Sequence, residues 1–547
     1  MRPADMAHEA PSVSVAILEG MKPTRQAGPR PGRSGRRTTG CGSGHGRLVA
    51  AFLEVAGQRA EHPAIVLGDQ RYSYRDVAGA SQAVARFLLS RQTFTSGGRV
   101  ALAADNGAEY LAGFYGILRA GGVVVPIPPR TEATRLVRIL AACEVQVILS
   151  TPPVAARLAI PGGGACEPVD LSRPSPGSVP EVEPLKIGDQ TLAMILFTSG
   201  STGEPKGVML SDANLLANAR SITQYLAIGE DDRALALLPF CHAYGNSVMQ
   251  THLLTGATLV VEGSLAFPNT VLEALCRHQA TSFSGVPETY HSLLSYSDLG
   301  EAPLPDLRYL TVAGGALEPR AVLEVAERSA PARFYVMYGQ TEATARLAYL
   351  DPDRVKTRPN SIGKAIPGVE LKVADDQGRV LGAGDLGELC ARGPNVMLGY
   401  WGDPETTSIT VQDGWLHTGD LATVDREGYL YVESRKDDLI KTQGLRTHPR
   451  EVEELVAAHF PGSRALVVPY RFHESTRLAL YLVSASEELS ADEIRRLCLR
   501  TLPRPKVPSY VEVLRQVPLN ASMKVDREGL VRRAETSPAS GQEGMSL

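Results

Sequence analysis

The chain has 547 residues, 43% of them hydrophobic and 21% charged, with a formal net charge of -4. That length exceeds what one hydrophobic core holds and predicts two or more domains, while the near-neutral balance excludes the wide basic field of a nucleic-acid binder. No apolar run approaches the roughly 18 residues of a membrane span, and seven scattered cysteines without a Cys-x-x-Cys pair predict a reducing, cytoplasmic setting and argue against a metal cluster.

Residues 1–46 hold seven Lys/Arg against three Asp/Glu and a Gly- and Arg-rich passage. Such a segment cannot bury enough apolar surface to offset its ordering entropy, so a disordered tail is expected, either a targeting segment or an artefact of the assigned start. From Leu48 the pattern is globular. LVAAFLEVAGQRA has helical spacing, AIVLGDQRYSYRDV reads as two short strands around Gly68-Asp69, and DVAGASQAVARFLLSRQ returns to helix. RVALAADN and VVVPIPPR are buried strands flanking the helix EYLAGFYGILRAGG. This alternation predicts an α/β protein: a large N-terminal domain of layered α/β subdomains with mostly parallel strands. Residues 160–184, rich in Pro, Gly and Ser, read as a surface connection.

The stretch from Leu192 to Ser211, LAMILFTSGSTGEPKGVMLS, reads as strand, loop, strand. Gly200 and Gly203 let the backbone approach a ligand closely, while Thr198, Ser199, Ser201 and Thr202 offer hydroxyls among free N–H groups. With Lys206 such a loop suits a polyphosphate, each bond to a charged oxygen contributing about 1.5 to 3 kcal/mol. An ordinary hairpin loop is the alternative. The spacing is not that of the Walker loop, since Pro205 precedes the lysine and a strand-like run follows. A helix capped by Ser211 or Asp212 comes next, with Leu215, Leu216, Ala219, Ile222 and Leu226 on one face. ALALLPFCHAYGNSVMQ then predicts a buried strand ending at Pro239, followed by Phe240, His242 and Tyr244. Residues 281–290 and 307–319 each place a strand before a turn, the second carrying Gly314, Gly315 and Ala316, either as a tight turn or as room for a flat ring. Beyond the strand RFYVMYG, Thr341 and Glu342 stand where a carboxylate beside a triphosphate would need an intervening cation, for which Mg²⁺ is the usual choice. Asp420 has two oxygens able to accept both hydroxyls of a ribose. The last hundred or so residues predict a compact α/β unit, with Lys524 in a short loop before a helix.

Phe197 to Ser211 resembles the phosphate-loop signature of the adenylate-forming superfamily, which includes acyl- and aryl-CoA synthetases, peptide-synthetase adenylation domains and luciferases. Further matching stretches follow in that family's order: VAGGALEP (312–319), YGQTEAT (338–344), GELCARGPNVMLGYW (387–401), DGWLHTGD (413–420), SRKDDLIKTQGLRTHPREVE (434–453) and NASMKVDREGL (520–530). The resemblance covers about Leu48 to Arg533, and ordered motifs are far more specific together than singly. It implies an N-terminal AMP-binding domain at 47–434, a hinge at 435–437, a small mobile C-terminal domain at 438–535 and a tail at 536–547. It further implies that adenine lies between Gly314–Ala316 and Tyr338-Gly339, that Arg435 contacts ribose and phosphate, and that Glu342 is metal-associated with Thr341 beside it. Phe240, His242, Ser284 and Gly285 are expected to line the acyl pocket. Lys524 is expected to swing into the site during adenylation; afterwards a rotation about Asp437 would present Lys441, Gly444 and Arg446 for thioester formation.

Two departures matter. Cys241 stands where peptide-synthetase domains for α-amino acids place an Asp, and an uncharged residue cannot balance a buried ammonium. The implied substrate is therefore a carboxylic acid without an α-amino group. Met523 replaces the family's usual Gly beside Lys524. The implied reaction uses ATP, Mg²⁺ and CoA to give an acyl-adenylate, pyrophosphate and then a thioester. A phosphopantetheinyl carrier protein as acceptor, a luciferase-like oxidative fate and an inactive nucleotide-binding protein are the alternatives.

Overall fold

The computed structural model describes residues 47–158, 168–171, 190–199, 205–436, 440–442, 445–447, 449–460, 462–472, 475–484, 489–519 and 525–537. The expected tails fall outside these ranges apart from Thr536 and Ser537, as do Gly200, Ser201, Thr202, Gly203, Asp437, Gly444 and Lys524.

Two large sheets dominate the described residues. The first runs, edge to edge, Lys364–Ala365, Ala348–Leu350, Arg333–Tyr338, Tyr309–Val312, Ser282–Gly285, Arg233–Leu235, Thr258–Val261, Pro63–Leu67 and Gln70–Ser73. From Arg333–Tyr338 to Pro63–Leu67 every pairing is parallel. The second runs Gly399–Tyr400, Pro205–Ser211, Leu192–Ser199, Val123–Pro126, Arg99–Ala103, Val147–Ser150 and Pro168–Asp170. Both carry near-continuous apolar strands, as sheets covered on both faces must. One core joins them through the helices Arg47–Gln58, Tyr74–Ser90, Ala108–Arg119, Asp212–Leu226 and Ala243–Thr255, with Ile65 and Leu259 contributed by the first sheet and Val100, Val124 and Met194 by the second. Two further cores cover the outer faces. The layers are thus helix, sheet, helix, sheet, helix, as the α/β reading expects.

The cap of helix Asp212–Leu226 is Ser211, whose Oγ accepts from the Asn214 N–H at 3.1 Å while Asn214 Oδ1 accepts from the Ser211 N–H at 2.8 Å. Asp212 instead accepts from the Leu48 N–H at 3.2 Å, at the start of the first helix, where unpaired N–H groups favour an anion. Two expectations need correction. The strand before Phe240 ends at Leu235, although Ala236 still donates its N–H to the Val260 carbonyl at 2.7 Å. Within the connection at 160–184, Pro168–Asp170 pairs parallel with Val147–Ser150 as an edge strand. Three residues bounded by Pro and Asp carry no period that a sequence could display.

The amino ends of three adjacent parallel strands are tied by one buried carboxylate. Asp232 accepts from Arg308 Nη1 at 2.5 and 2.6 Å, from Thr281 Oγ1 at 2.6 Å and from the Gly229 N–H at 2.8 Å. Burial alone would raise its pKa, but the bonds from Arg308, Gly229 and Thr281 outweigh it and hold the carboxyl below its ordinary value. A carboxylate depressed by folding contributes stability above its unfolded pKa of about 3.9, and loses it as pH falls through the lower folded value. Because Arg308 is half exposed, Asp232→Asn should cost about 2 kcal/mol at pH 7. The difference from wild type should shrink towards zero below pH 4, which urea unfolding at pH 7 and pH 3 would check.

A third, antiparallel sheet (Glu370–Ala374, Gly387–Arg392, Trp415–Val424, Val411–Gln412, with Leu430–Arg435 alongside) follows the last strand of the first sheet along the chain. The C-terminal unit packs helices Pro449–His459, Ala491–Thr501 and Arg527–Thr536 on strands Arg464–Phe472, Ser475–Val483 and Tyr510–Leu514, with its own two cores. Arg464 reaches Glu288 at 3.2 Å in the larger unit. Among the described residues no helix is long and apolar enough to cross a membrane.

Candidate active site

The order of the first large sheet reverses beside Arg233–Leu235: the chain passes to Thr258–Val261 on one side, then returns to Ser282–Gly285 on the other. A crevice forms outside the carboxyl ends of parallel strands at such a point. The residues that follow these strand ends are the ones singled out from sequence: Phe240 and His242 after the first, Ser284 and Gly285 at the end of the next, Gly314–Ala316 after Tyr309–Val312, and Gly339–Glu342 after Arg333–Tyr338. Gly314 has φ +91 and, with Gly315 and Ala316, is exposed. At Gly339 an added Cβ would fall 2.0 Å from the Ala345 carbonyl oxygen, so the chain doubles back there as only glycine permits.

Tyr338, Asp420 and Arg435 meet although 82 residues separate the first two. The Tyr338 hydroxyl donates to Asp420 Oδ2, and Arg435 Nη1 lies 3.3 Å from Asp420 Oδ1. Strand register does this work, since Asp420 on Trp415–Val424 is the cross-strand partner of Arg435 on Leu430–Arg435. Burial, then the adjacent Asp420 carboxylate, push the Tyr338 phenol far above its ordinary pKa, so it remains a donor.

The hairpin of Leu192–Ser199 with Pro205–Ser211 is present, with Thr198 opposite Lys206. Lys206 Nζ stands 5.4 Å from the centroid of the Tyr400 ring, and the Tyr400 hydroxyl donates to Glu342 Oε1 at 2.9 Å. One aromatic residue therefore links the loop lysine to the carboxylate. Burial and Glu342 both raise the Tyr400 pKa. The turn Thr341–Ala343 is braced from behind: the Met397 N–H donates to the Glu342 carbonyl at 2.9 Å, Asn395 Nδ2 to the carbonyls of Ala343 at 3.2 Å and Arg346 at 2.8 Å, and Thr344 Oγ1 to the Asn395 carbonyl at 2.7 Å. Thr344 has φ +67, a strained conformation for a β-branched residue that these bonds hold in place.

Phe240 has no exposed surface and packs against Tyr110 with centroids 5.8 Å apart. His242 is half-buried and caps helix Ala243–Thr255. Asn106 holds this loop by accepting from the Phe240 N–H at 2.8 Å and donating to the Leu238 carbonyl at 2.9 Å. Burial pushes the Cys241 thiol up to about 12, so no charge arises there at neutral pH. Ser284 Oγ accepts from Thr311 Oγ1 at 2.8 Å, which in turn is 2.7 Å from the Tyr244 hydroxyl.

Tyr400, Asn106 and Asn395 were not singled out from sequence. Tyr400 and Asn395 both sit inside the stretch 387–401 that carries the resemblance, which was the available signal; Asn106, a single Asn after a strand, gives none. Of Lys441 the backbone alone is described, paired with Arg446 across a two-stranded ribbon. Glu388, Cys390 and His417 are near enough together to hold a metal ion. The Glu388 carboxylate is, however, already engaged by the Gly419 N–H at 3.1 Å and by Lys436 Nζ at 3.4 Å.

A family profile described as AMP-binding enzyme matches residues 52–401. The feruloyl-CoA synthase of Amycolatopsis sp is 32% identical over 445 residues, covering 80% of this chain and 89% of that protein. The long-chain-fatty-acid–CoA ligase of Salmonella typhimurium strain LT2 is 28% identical over 531 residues, covering 88% and 94%. Among solved structures, o-succinylbenzoate coenzyme A synthetase from Bacillus subtilis in complex with ATP and a magnesium ion matches with a TM-score of 0.76 at 27% identity, over 88% of this chain and 98% of that one. With the hairpin of Leu192–Ser199 and Pro205–Ser211 and the strand-end residues Phe240 to Glu342 lying within residues 52–401, the chain belongs to the AMP-binding enzyme family, the adenylate-forming enzymes, and is a ligase of the AMP-forming acid–thiol type.

Proposed function

We propose that this ligase activates a carboxylic acid without an α-amino group as its acyl-adenylate, releasing pyrophosphate from ATP, and then passes the acyl group to the thiol of CoA. The observation that carries the reading is a pair of neighbouring clusters after the strand Arg333–Tyr338: Lys206–Tyr400–Glu342 at the hairpin and Tyr338–Asp420–Arg435 beside it. The two oxygens of Asp420 suit the ribose hydroxyls, with Arg435 placed for ribose and α-phosphate. Gly314–Ala316 and the face of Tyr338 leave a flat slot for adenine. Thr198 to Gly203, with Lys206, take the β- and γ-phosphates.

Glu342 is the residue that fits Mg²⁺, since it offers hard oxygens beside the hairpin and only one of its oxygens is bonded to Tyr400. When bound, the ion supplies charge neutralisation between this carboxylate and the phosphates. The chain's own groups do the rest. Thr341 and His242 orient the substrate carboxylate for in-line attack on the α-phosphate, and Lys524 stabilises the charge that grows on the carboxylate and phosphate oxygens. Phe240, Ser284 and Gly285 shape the acyl pocket, and the neutral Cys241 leaves an α-ammonium without a counter-ion. The division into units 47–434 and 438–535, turning about Asp437, would then bring Lys441 and Gly444 to the site for thiol attack, with closure excluding water. Five cysteines stand free among the described residues, which supports a reducing cytoplasmic setting.

The test is pyrophosphate release over a panel of carboxylic acids, with and without CoA. Acid-dependent release, with thioester appearing only when CoA is present, is expected. Thioester on a phosphopantetheinyl carrier protein but not on CoA would move the acceptor, and release that ignores the acid would overturn the reading.

A further inference from the structure

Arg346 is 2% exposed, and its side chain has no acidic partner among the described residues. Its guanidinium lies 4.5 Å from the centroid of the Tyr244 ring and beside the Tyr225 hydroxyl, and its Nε finds no hydrogen-bond acceptor. The backbone around it is fully satisfied, the Arg346 carbonyl accepting from Asn395 Nδ2 at 2.8 Å and Asn218 Nδ2 at 3.3 Å. The residue is therefore held firmly, while its guanidinium faces the Tyr244 ring and the Tyr225 hydroxyl, with no carboxylate among the described residues. Arg119 is also buried and its Nε is also unbonded, but its Nη1 donates to the Ala78 carbonyl at 3.0 Å and to Ser81 Oγ at 3.1 Å.

A guanidinium does not shed its proton within a protein, so burial cannot neutralise it as it can a lysine or histidine. One aromatic face and one neutral hydroxyl offset part of the lost hydration, and the remainder calls for an anion. The five donors of the fork match a carboxylate in particular.

Position says where that anion would come from. Arg346 ends the turn that begins at Gly339 and carries Thr341 and Glu342; a Cβ on Gly339 would lie 2.7 Å from the Arg346 Cα. The Tyr244 ring beneath the guanidinium is the one whose hydroxyl reaches Thr311, and through it Ser284, at the strand ends that border the crevice. We propose that Arg346 is a specificity-determining residue of the acyl pocket and that the acid activated here is a dicarboxylic acid, whose second carboxylate pairs with this guanidinium over the Tyr244 ring. The inference rests on the carboxylic-acid activation proposed above and adds the chemical class of the acid.

The experiment uses the full chain in ATP–pyrophosphate exchange with matched acids: hexanoate against hexanedioate, and 3-phenylpropanoate against 3-(2-carboxyphenyl)propanoate. Wild type is expected to favour the diacid in at least one pair by 100-fold or more in kcat/KM. Arg346→Leu should reverse that preference, and Arg346→Lys, a point charge without the fork, should keep its sign with about tenfold less discrimination. A wild type that favours the monoacid in both pairs, or an Arg346→Leu whose preference ratio stays within threefold of wild type, overturns the proposal and leaves Arg346 as a packing brace for Tyr244. Should Arg346→Leu fail to fold, the wild-type pairs and the lysine variant still decide.

Calorimetric titration of the same acids in the presence of AMP separates this inference from its parent. Diacid binding that depends on Arg346 without any exchange strikes the activation reading alone. Exchange with monoacids only strikes this one alone. Neither binding nor exchange with any of the acids, monoacid or diacid, overturns both.

Discussion

Asp420→Ala is expected to lower kcat/KM for ATP by about 10³-fold, or roughly 4 kcal/mol, while the protein still folds. The size follows from what the carboxylate does in the free and in the bound protein. Its pairing with Arg435 contributes little, because the arginine is half exposed at 3.3 Å and such pairs contribute about 0 to 1 kcal/mol. The Tyr338 hydroxyl can turn to water once its acceptor is gone. The larger loss is of the two charge-assisted bonds proposed between this carboxylate and ribose, each worth about 1.5 to 3 kcal/mol, together with the geometry they would impose on the α-phosphate. Asp420→Asn keeps a single acceptor and should fall between alanine and wild type. Steady-state kinetics over ATP concentration give the answer: a lower melting temperature with unchanged KM for ATP would make Asp420 a structural link between Tyr338 and Arg435 and nothing more.

Lys524→Ala should cut carboxylate-dependent pyrophosphate exchange by about 10²- to 10³-fold, equivalent to about 2.7 to 4 kcal/mol of transition-state stabilisation. Thiolysis of a chemically supplied acyl-adenylate should continue near the wild-type rate, because the proposed rotation about Asp437 takes this lysine out of the site before the thiol attacks. The contrast between the half-reactions is the informative quantity. Equal loss in both would place Lys524 in fold maintenance or CoA binding rather than in adenylation.

The hairpin that carries Lys206 was legible because its signals are local: apolar runs of strand length on either side of glycine and hydroxyl residues, with Pro205 breaking any helix. The antiparallel pairing of Leu192–Ser199 with Pro205–Ser211 follows from them. The capping of helix Asp212–Leu226 was half legible. Ser and Asp are both good caps, and the choice fell to Ser211 because Asp212 is committed to the first helix, 164 residues earlier in the chain. The edge strand Pro168–Asp170 could not be seen at all, since it exists through its partner Val147–Ser150 rather than through any pattern of its own.

Within the candidate site the division is similar. Glu342 and Asp420 could be picked out by resemblance and by what a carboxylate can do beside phosphate or ribose. That Tyr400 bridges Glu342 and Lys206 could not, because the phenol and the carboxylate are 58 residues apart and meet through the packing of one loop behind another. Arg346 is the clearest case: two residues beyond a polar motif, an arginine reads as a solvated surface charge, and only the folded chain encloses it with Tyr244 and Tyr225.

By itself the sequence determined the α/β class, the alternation of strands and helices and the loop chemistry suited to a polyphosphate, because periodicity, turn residues and side-chain charge act over a few neighbouring positions. The tertiary structure alone decided which side chains follow the same strand ends, how Tyr338, Asp420 and Arg435 come together, and that Arg346 is buried with no acidic partner among the described residues. Those outcomes depend on strand order, cross-strand register and burial, properties of contacts between segments far apart along the chain, which no local stretch encodes.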